Sequence, residues 1–347
     1  MRILVLGATG YVGSRLVPAL LDEGHDVVAA SSSPPDPERF AWGAGVEWRQ
    51  CDVTDATEVA DALVGVDGVC YLVHSMAGRE FAGRDLLGAQ VVRRAVDQAG
   101  VTRLVYLSGL VPDVPRDDLS AHLASRLEVE EELLLADAST VALRAGVIIG
   151  AGSTSFEVIR QLGSLLVIQP IPGWMRSRVQ PIAVTDAVRA LVEAFGDSSD
   201  LTGAVDIGGP DVLPYPKLLA SHDRAARLLR VRVPALVAPP LLVAIGTAGL
   251  VRAPFWTVTA LVDSLRHDMV CRPEATWVPA SGPALMTVRE AMTRAVTGVG
   301  LEGPLASDPE WTRQRAPLLD ALRAPRTLRT GVGLLRHRLR VLRDLGG

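Results

Sequence analysis

Lysine is almost missing from this sequence: Lys217 is the only one among 347 residues, so arginine supplies nearly all of the 35 basic side chains. Tyrosine is also scarce, at four, and cysteine occurs three times. Cys51, Cys70 and Cys271 are too few and too scattered for a disulfide framework or a metal cluster. We therefore predict no metal site and a reducing, cytoplasmic location.

Strong charge of either sign is missing as well. The formal net charge is −4, which gives no reason to expect a nucleic-acid partner. The first apolar run begins at Arg2, and we expect no cleavable signal peptide before it. What the chain does have is a hydrophobic content of 48%, enough for a large buried core.

Three glycines at a spacing of three follow the first apolar run. Gly7, Gly10 and Gly13 come directly after residues 2–6, and residues 14–23 repeat apolar positions at helical spacing. Strand, glycine turn and helix in this order form a dinucleotide-binding fingerprint, in which the helix N-terminus faces the pyrophosphate. The predicted cofactor-binding residues of this loop are Gly7, Thr9, Gly10, Tyr11, Val12 and Gly13.

Strands and helices alternate up to about residue 145. The pattern predicts strands at 25–30, 46–50, 68–73, 103–107 and 140–143, and helices at 54–64, 85–99 and 121–136. The strands are continuous apolar runs, which is typical of a parallel sheet covered on both faces. We predict an α/β fold: a Rossmann-type doubly wound parallel sheet with a smaller, mainly helical C-terminal lobe.

Several motifs in the right order resemble the short-chain dehydrogenase/reductase superfamily, in particular its atypical, NmrA-like and epimerase-like members. The glycine loop resembles that family's TGxxGxxG motif, and residues 51–55 resemble its GDxxD segment. The resemblance implies that Asp52 contacts the adenine with help from the backbone of Val53. It also implies that Val73 and His74 line the nicotinamide side, and that Ser108 stands where the family has its active-site serine.

The catalytic Tyr and Lys of that family, four residues apart, are missing from this sequence. His122 and Arg126 occupy the corresponding positions, one helical turn apart on a shared face. Arg126 can donate to ribose hydroxyls but cannot titrate, whereas His122 is expected to exchange a proton near neutral pH. The candidate catalytic residues are therefore Ser108, His122 and Arg126; the alternatives are a solvated helix face for His122 and Arg126 and a turn-capping role for Ser108.

Cofactor preference depends on the end of the second predicted strand. NAD-specific folds place an acidic residue there for the ribose 2′-hydroxyl, but this chain has Ser31, Ser32 and Ser33. Serine hydroxyls can donate to a 2′-phosphate, and Arg39 lies a few residues further on. The sequence thus favours NADP(H) over NAD(H), with Ser31 as a candidate contact.

We divide the chain into a dinucleotide-binding core (1–150), a mixed segment that returns to the core and forms an apolar substrate lobe (151–300), and a basic tail (301–347). Residues 233–262 are very apolar, but prolines interrupt them, which argues against a membrane span. The segment favours a buried lobe around an apolar substrate, with interfacial association as the alternative. In the tail, an apolar stripe from Leu328 to Leu342 is flanked by arginines. It predicts either peripheral membrane contact or a helix docked on its own domain.

Two kinds of function agree with these observations. The first is an oxidoreductase that uses a nicotinamide cofactor on an apolar small molecule. The second is a dinucleotide-binding redox sensor, regulator or accessory subunit without turnover, which the missing Tyr and Lys favour. The sequence does not indicate an oligomeric state.

Overall fold

The protein is described by a computed structural model that covers residues 1–74, 81–196, 199–235 and 239–314. The strands, in chain order, are β1 (Arg2–Leu6), β2 (Asp26–Ser31), β3 (Glu47–Gln50), β4 (Gly68–Tyr71), β5 (Arg103–Gly109), β6 (Ser139–Ala145), β7 (Ile148–Ile149), β8 (Ile168–Pro172), β9 (Arg178–Val179), β10 (Ile182–Ala183), β11 (Gly203–Ile207), β12 (Leu213–Pro214) and β13 (Val231–Ala235). The helices are α1 (Gly13–Asp22), α2 (Ala56–Ala62), α3 (Phe81–Ala99), α4 (Ala121–Leu133), α5 (Thr154–Leu165), α6 (Val184–Glu193), α7 (Tyr215–Ala225), α8 (Pro240–Leu250), α9 (Phe255–Ser264), α10 (Val288–Thr297) and α11 (Glu310–Arg313).

Seven strands form one parallel sheet in the order β11-β6-β5-β4-β1-β2-β3. The chain reverses direction across the sheet between β1 and β4, and in doubly wound folds ligands bind at the carboxyl ends of the strands at such a point. The predicted Rossmann-type architecture is therefore confirmed.

Both faces of this sheet are covered, as the continuous apolar strands require. Along β1, Ile3 and Val5 pack with α1 and α6 on one face, while Leu4 and Leu6 pack with α2, α3 and α4 on the other. All four side chains are essentially fully buried, at 0–1% exposed. Alternate residues of one strand thus serve two separate cores.

Several predicted boundaries were wrong by a few residues. The helix predicted to begin at residue 85 already includes Phe81, and the one predicted to reach residue 136 ends at Leu133. The helix predicted over 54–64 is shorter, because Asp55 caps it by accepting from the N–H groups of Thr57 and Glu58. β5 is two residues longer than predicted and includes Ser108 and Gly109.

Beyond residue 150 the chain alternates between the sheet and a smaller lobe. α6 and β11 return to the sheet, whereas α5, α7 and α10 enclose a further apolar core with α8 and α9 packed beside it. No helix among the described residues is both long and apolar enough to cross a bilayer. The stripe from Leu328 to Leu342 lies outside the described residues, so membrane contact through it stays a prediction.

The segment that follows α10 folds back onto α1. Arg15, which is fully buried, forms a two-pronged ion pair with the Asp308 carboxylate at 2.8 and 2.9 Å. Its guanidinium also donates to the carbonyl groups of Tyr11, Ala151, Leu301 and Gly303. The first residues of the predicted tail are therefore anchored to the helix that follows the glycine loop.

Candidate functional site

A cleft of about 410 Å³ opens at the carboxyl ends of β1, β4, β5 and β6. This volume is within the usual range for small-molecule sites. The sheet contributes the glycine loop, Leu72 and residues 107–109, while the smaller lobe contributes the opposite wall with Tyr215, Leu261 and Ser264. The predicted dinucleotide loop and the substrate lobe thus face each other across one cavity.

The glycine loop has the backbone geometry that its sequence predicts. Gly7 has a φ of +88°, in the region that favours glycine. A Cβ on Gly13 would collide with the Gly7 carbonyl oxygen and lie 2.8 Å from Ala8 Cα, so only glycine lets α1 approach β1 this closely. Gly10 differs: a Cβ there would meet only the Gly7 oxygen, at 3.2 Å, and the residue is exposed. Its missing side chain leaves space beside the loop, where a pyrophosphate needs to approach the backbone.

The three other residues predicted to bind the cofactor in this loop differ in their burial and contacts. Val12 is the N-cap of α1 and has no polar side chain to occupy the N–H groups of the first turn. Thr9 is half-buried. The Tyr11 phenol is buried against the Arg15 guanidinium, 4.0 Å from the ring centre, and burial raises its pKa. Tyr11 therefore acts mainly as packing beneath the loop.

The predicted adenine-side residues meet at the outer strands. The backbone N–H of Cys51 donates to the Ser31 carbonyl, which places Ser31 beside Asp52 at the ends of β2 and β3. The Asp52 carboxylate accepts from the N–H and hydroxyl of Thr54, and these hydrogen bonds lower its pKa. The side chains of Val53 and Val73 pack into the core, so each has only its backbone to offer a cofactor.

Two histidines and a carboxylate lie together on the cleft wall. His74 Nδ1 is 3.3 Å from the Asp85 carboxylate, and its ring centre is 4.7 Å from that of His122. Neither His74 Nε2 nor His122 Nδ1 has a hydrogen-bond partner among the described residues, although both atoms are buried. Asp85 was missed by the sequence analysis, because nothing local marks a residue that contacts His74 from the first turns of α3.

The expectation that His122 exchanges a proton near neutral pH is wrong for the structure as it stands. Burial holds the pKa of His122 well below its usual value, and the neighbouring His74 and Arg126 lower it further. Burial and Arg126 likewise lower the pKa of His74. Both rings are thus neutral near pH 7, and each then has one nitrogen that donates and one that accepts.

Ser108 and Arg126 lie on the same side of the cleft. Ser108 Oγ is buried on the face of β5 that also carries the Tyr106 phenol. The Arg126 guanidinium donates to the Leu107 carbonyl at 2.5 Å and lies 6.0 Å from the centre of the Tyr106 ring. The structure therefore brings Ser108, His122 and Arg126 together, but Arg126 is held against the backbone of β5.

Glu130, one helical turn after Arg126 on α4, has a structural role. Its carboxylate is 1% exposed and forms two-pronged hydrogen bonds with Arg144 on β6, at 2.5–3.0 Å. This pair joins α4 to the sheet. No cluster of histidine, cysteine and acidic residues suited to a metal ion occurs in the part of the chain that the structure describes.

Comparison with known proteins agrees with this geometry. Residues 7–145 match a family model described as NAD(P)H-binding. A 3 beta-hydroxysteroid dehydrogenase/Delta 5-->4-isomerase of Mycobacterium tuberculosis is 34% identical over 122 residues, 31% of each chain. The UDP-glucose 4-epimerase of Thermus thermophilus, solved with NAD, has the same fold: TM-score 0.54, 21% identity, 77% of this chain and 99% of that one.

The N-terminal part of the chain, residues 7–145, is therefore an NAD(P)H-binding domain. The matches agree with the resemblance to the short-chain dehydrogenase/reductase superfamily that the sequence motifs indicate. An uncharacterised M. tuberculosis protein is 29% identical over 224 residues, or 65% of this chain. The present chain spans only 23% of the length of that relative.

The lowered pKa values of His74 and His122 predict a loss of stability in mild acid. The unfolded chain protonates its histidines at about pH 6.5, whereas the folded chain keeps these two neutral until well below that. As pH falls below about 6.5, the unfolded state therefore binds more protons, and the free energy of unfolding drops by up to about 1.4 kcal/mol per pH unit for each histidine.

We expect His122→Phe to lose about half of this dependence. The measurement is urea unfolding of both proteins at several pH values between about 7 and 5. Other titrating groups contribute equally to the two curves, so the difference between them isolates His122. A constant difference across this range would mean that His122 is protonated as readily in the folded chain as in the unfolded one.

Proposed function

We propose that this protein is an NAD(P)(H)-dependent oxidoreductase that acts on an apolar small molecule. The observation that carries the proposal is the single cleft in which the glycine loop, Ser108, His74 and His122 meet the smaller lobe. A relative named as a hydroxysteroid dehydrogenase supports both the reaction class and an apolar substrate. The nicotinamide would supply or accept the hydride.

The chain's own residues offer what the remainder of such a reaction needs. Ser108 has a hydroxyl that can donate to a substrate carbonyl oxygen at the end of β5. His74, held by Asp85 at Nδ1, presents Nε2 as an acceptor for a substrate hydroxyl proton when the substrate is oxidised. His122 lies against that ring and lines the same cleft, so it is the second candidate for the proton.

Arg126 is a candidate for holding the cofactor ribose, as the family's lysine does. Its Nε is buried and without a hydrogen-bond partner among the described residues, so the Nε–H donor remains available beside the Nη2 bond to Leu107. Because an arginine stays protonated, this residue can bind and orient but cannot relay a proton. A proton route through His74 or His122 therefore takes the place of the family's Tyr and Lys.

For the cofactor we propose NADP(H) in preference to NAD(H). The end of β2 has a half-buried Ser31 followed by exposed Ser32 and Ser33, so none of these three positions carries the carboxylate that would repel a 2′-phosphate. Arg39 is less available than its sequence position suggests, because its guanidinium donates to the Ser307 carbonyl at 2.6 Å. The serine hydroxyls are thus the main support for this preference.

The test is titration of the purified protein with NADPH and NADH while nicotinamide fluorescence is followed. We expect tighter binding of NADPH and, in Gly10→Val, a loss on the order of 100-fold, equivalent to about 2.8 kcal/mol. A branched side chain at Gly10 would occupy the space of the pyrophosphate. The residue is exposed and its Cβ would contact only the Gly7 oxygen, at a tight 3.2 Å, so we expect a small local shift rather than unfolding.

Gly246→Val is the matched control, because Gly246 is exposed on α8 and a Cβ there meets nothing within 4 Å. This variant should bind NADPH as the unmodified protein does. Unchanged NADPH affinity in a folded Gly10→Val protein would refute binding at the glycine loop. Binding without any turnover of ketones or alcohols would favour the regulator or accessory-subunit alternative instead.

A further inference from the structure

A second cavity, of about 350 Å³, lies next to the cleft, between the first turn of α4 and the helices α8 and α9. Most of its lining is apolar, with side chains that include Ala121, Leu241, Ala244, Trp256 and Ala260. Asp263 is the charged residue of this lining, and it pairs with Arg266 at 3.0 Å. Water forms few hydrogen bonds in such a cavity, whereas transfer of a hydrocarbon from water into it is favourable in free energy.

The two cavities are separated by very few side chains. His122 lines both of them. Beside it, the hydroxyls of Ser120, on the second-cavity side, and Ser264, on the cleft side, lie 3.1 Å apart. α9 forms a wall of both, with Leu261 towards the cleft and Ala260 towards the second cavity. A flexible ligand in the cleft therefore reaches the second cavity once His122 or the hydrogen-bonded pair of Ser120 and Ser264 turns aside.

The far end of the second cavity reaches the surface at α8. Leu241 lines the cavity but is 64% exposed, and Leu242 beside it is exposed to the same extent. Exposed leucine at a cavity mouth gives an apolar entrance rather than a polar one. The lining from this mouth to His122 is mostly apolar, although Asp263 and two hydroxyl side chains belong to it.

We propose that the second cavity binds the hydrocarbon chain of an amphipathic substrate whose carbonyl or hydroxyl group lies at Ser108. The position of the carbonyl or hydroxyl group at Ser108 rests on the proposed oxidoreductase function, whereas the site for the hydrocarbon chain does not. Because a few side chains separate the two cavities, a flexible straight chain can thread past them with less displacement than a rigid ring system needs. The second cavity then discriminates between substrates by the length of their hydrocarbon chain rather than by polar contacts.

The test measures binding of straight-chain methyl ketones of increasing chain length by calorimetry, with and without NADP⁺. Each added methylene that enters the cavity should tighten binding by about fourfold, the equivalent of about 0.8 kcal/mol, until the cavity is full. Ala260→Phe fills the cavity and should remove this gain for the longer ketones while leaving the shortest ones unaffected. Gly246→Phe adds the same ring to exposed space on α8 and should behave as the unmodified protein.

Leu241→Asp provides a second variant that does not disturb the core, since the position is largely exposed. It should weaken only ketones long enough to reach the mouth. Equal chain-length dependence in all four proteins, or none in any, would overturn the assignment. Because ketone binding is read without turnover and also without NADP⁺, this result is independent of the NADPH titration that tests the proposed function.

Discussion

Replacing Arg15 with methionine is expected to destabilise the fold by about 3–5 kcal/mol, the usual cost of breaking a buried ion pair on one side. The side chains of Arg15 and Asp308 are 0% and 1% exposed. Methionine fills much of the volume but leaves the Asp308 carboxylate buried without its cation. It also removes the donors to four carbonyl groups in the glycine loop, after β7 and in the segment that follows α10.

The control is Arg294→Met, which breaks an exposed pair with Glu290 at 2.8 Å on α10. Pairs of this kind contribute about 0.3–0.5 kcal/mol, so this variant should unfold close to the unmodified protein. Asp308→Asn combined with Arg15→Met should cost less than the sum of the two single changes, because the charge left behind is removed. Urea unfolding of the four variants measures this; a loss below about 1 kcal/mol in Arg15→Met would show that water reaches the pair.

The dinucleotide loop could be predicted from the sequence because all its determinants are local. A positive φ at Gly7 and the close approach at Gly13 depend on residues within one turn of chain. The parallel sheet was predictable for a similar reason, since the part of a strand that is buried on both faces has to be apolar at every position, as β1 is from Ile3 to Leu6. A feature whose determinants all lie within one strand, one turn or one helix can be predicted without knowledge of the fold.

Contacts between distant segments were not predictable. Arg15 lies in an amphipathic pattern that the sequence analysis assigned to α1, and nothing near it indicates that Asp308, 293 residues later, neutralises it in the interior. Asp85 was missed for the same reason, because it meets His74 across a turn of the fold. The pKa direction of His122 depends mainly on burial, then on His74 and Arg126, and spacing along α4 reveals only the last of these.

The apolar stretch from 233 to 262 shows the limit of composition. Its prolines correctly argued against one long helix, and α8 and α9 pack against each other with Phe255 and Val258 buried between them. Composition could not show that Leu241 and Leu242 remain exposed, because exposure is decided by what packs against the outer face of α8. The second cavity is formed by the first turn of α4 together with α8 and α9, so no single segment of the sequence indicates it.

Ser108→Ala is expected to lower kcat/KM for a ketone that the protein reduces by about 10²–10⁴, the range for losing a positioned donor to the reacting oxygen. Ser108 ends a central strand, its Oγ is buried, and it lines the cleft together with His74 and Gly10. Binding of NADPH should be unaffected, because the glycine loop that is proposed to hold the pyrophosphate is on a different strand. The measurement is NADPH oxidation over a range of ketone concentrations, next to NADPH titration.

Ser125→Ala is the matched control for this change. Ser125 is also a buried serine with an unpartnered Oγ among the described residues, it lies on α4 one residue before Arg126, and it does not line the cleft. Any general cost of removing a buried hydroxyl should appear in both variants, whereas the loss of activity should appear in Ser108→Ala alone. Equal activity of the two variants would place the reacting oxygen away from β5. The proposed proton transfer to His74 or His122 would then be contradicted as well, because it requires the substrate oxygen near Ser108.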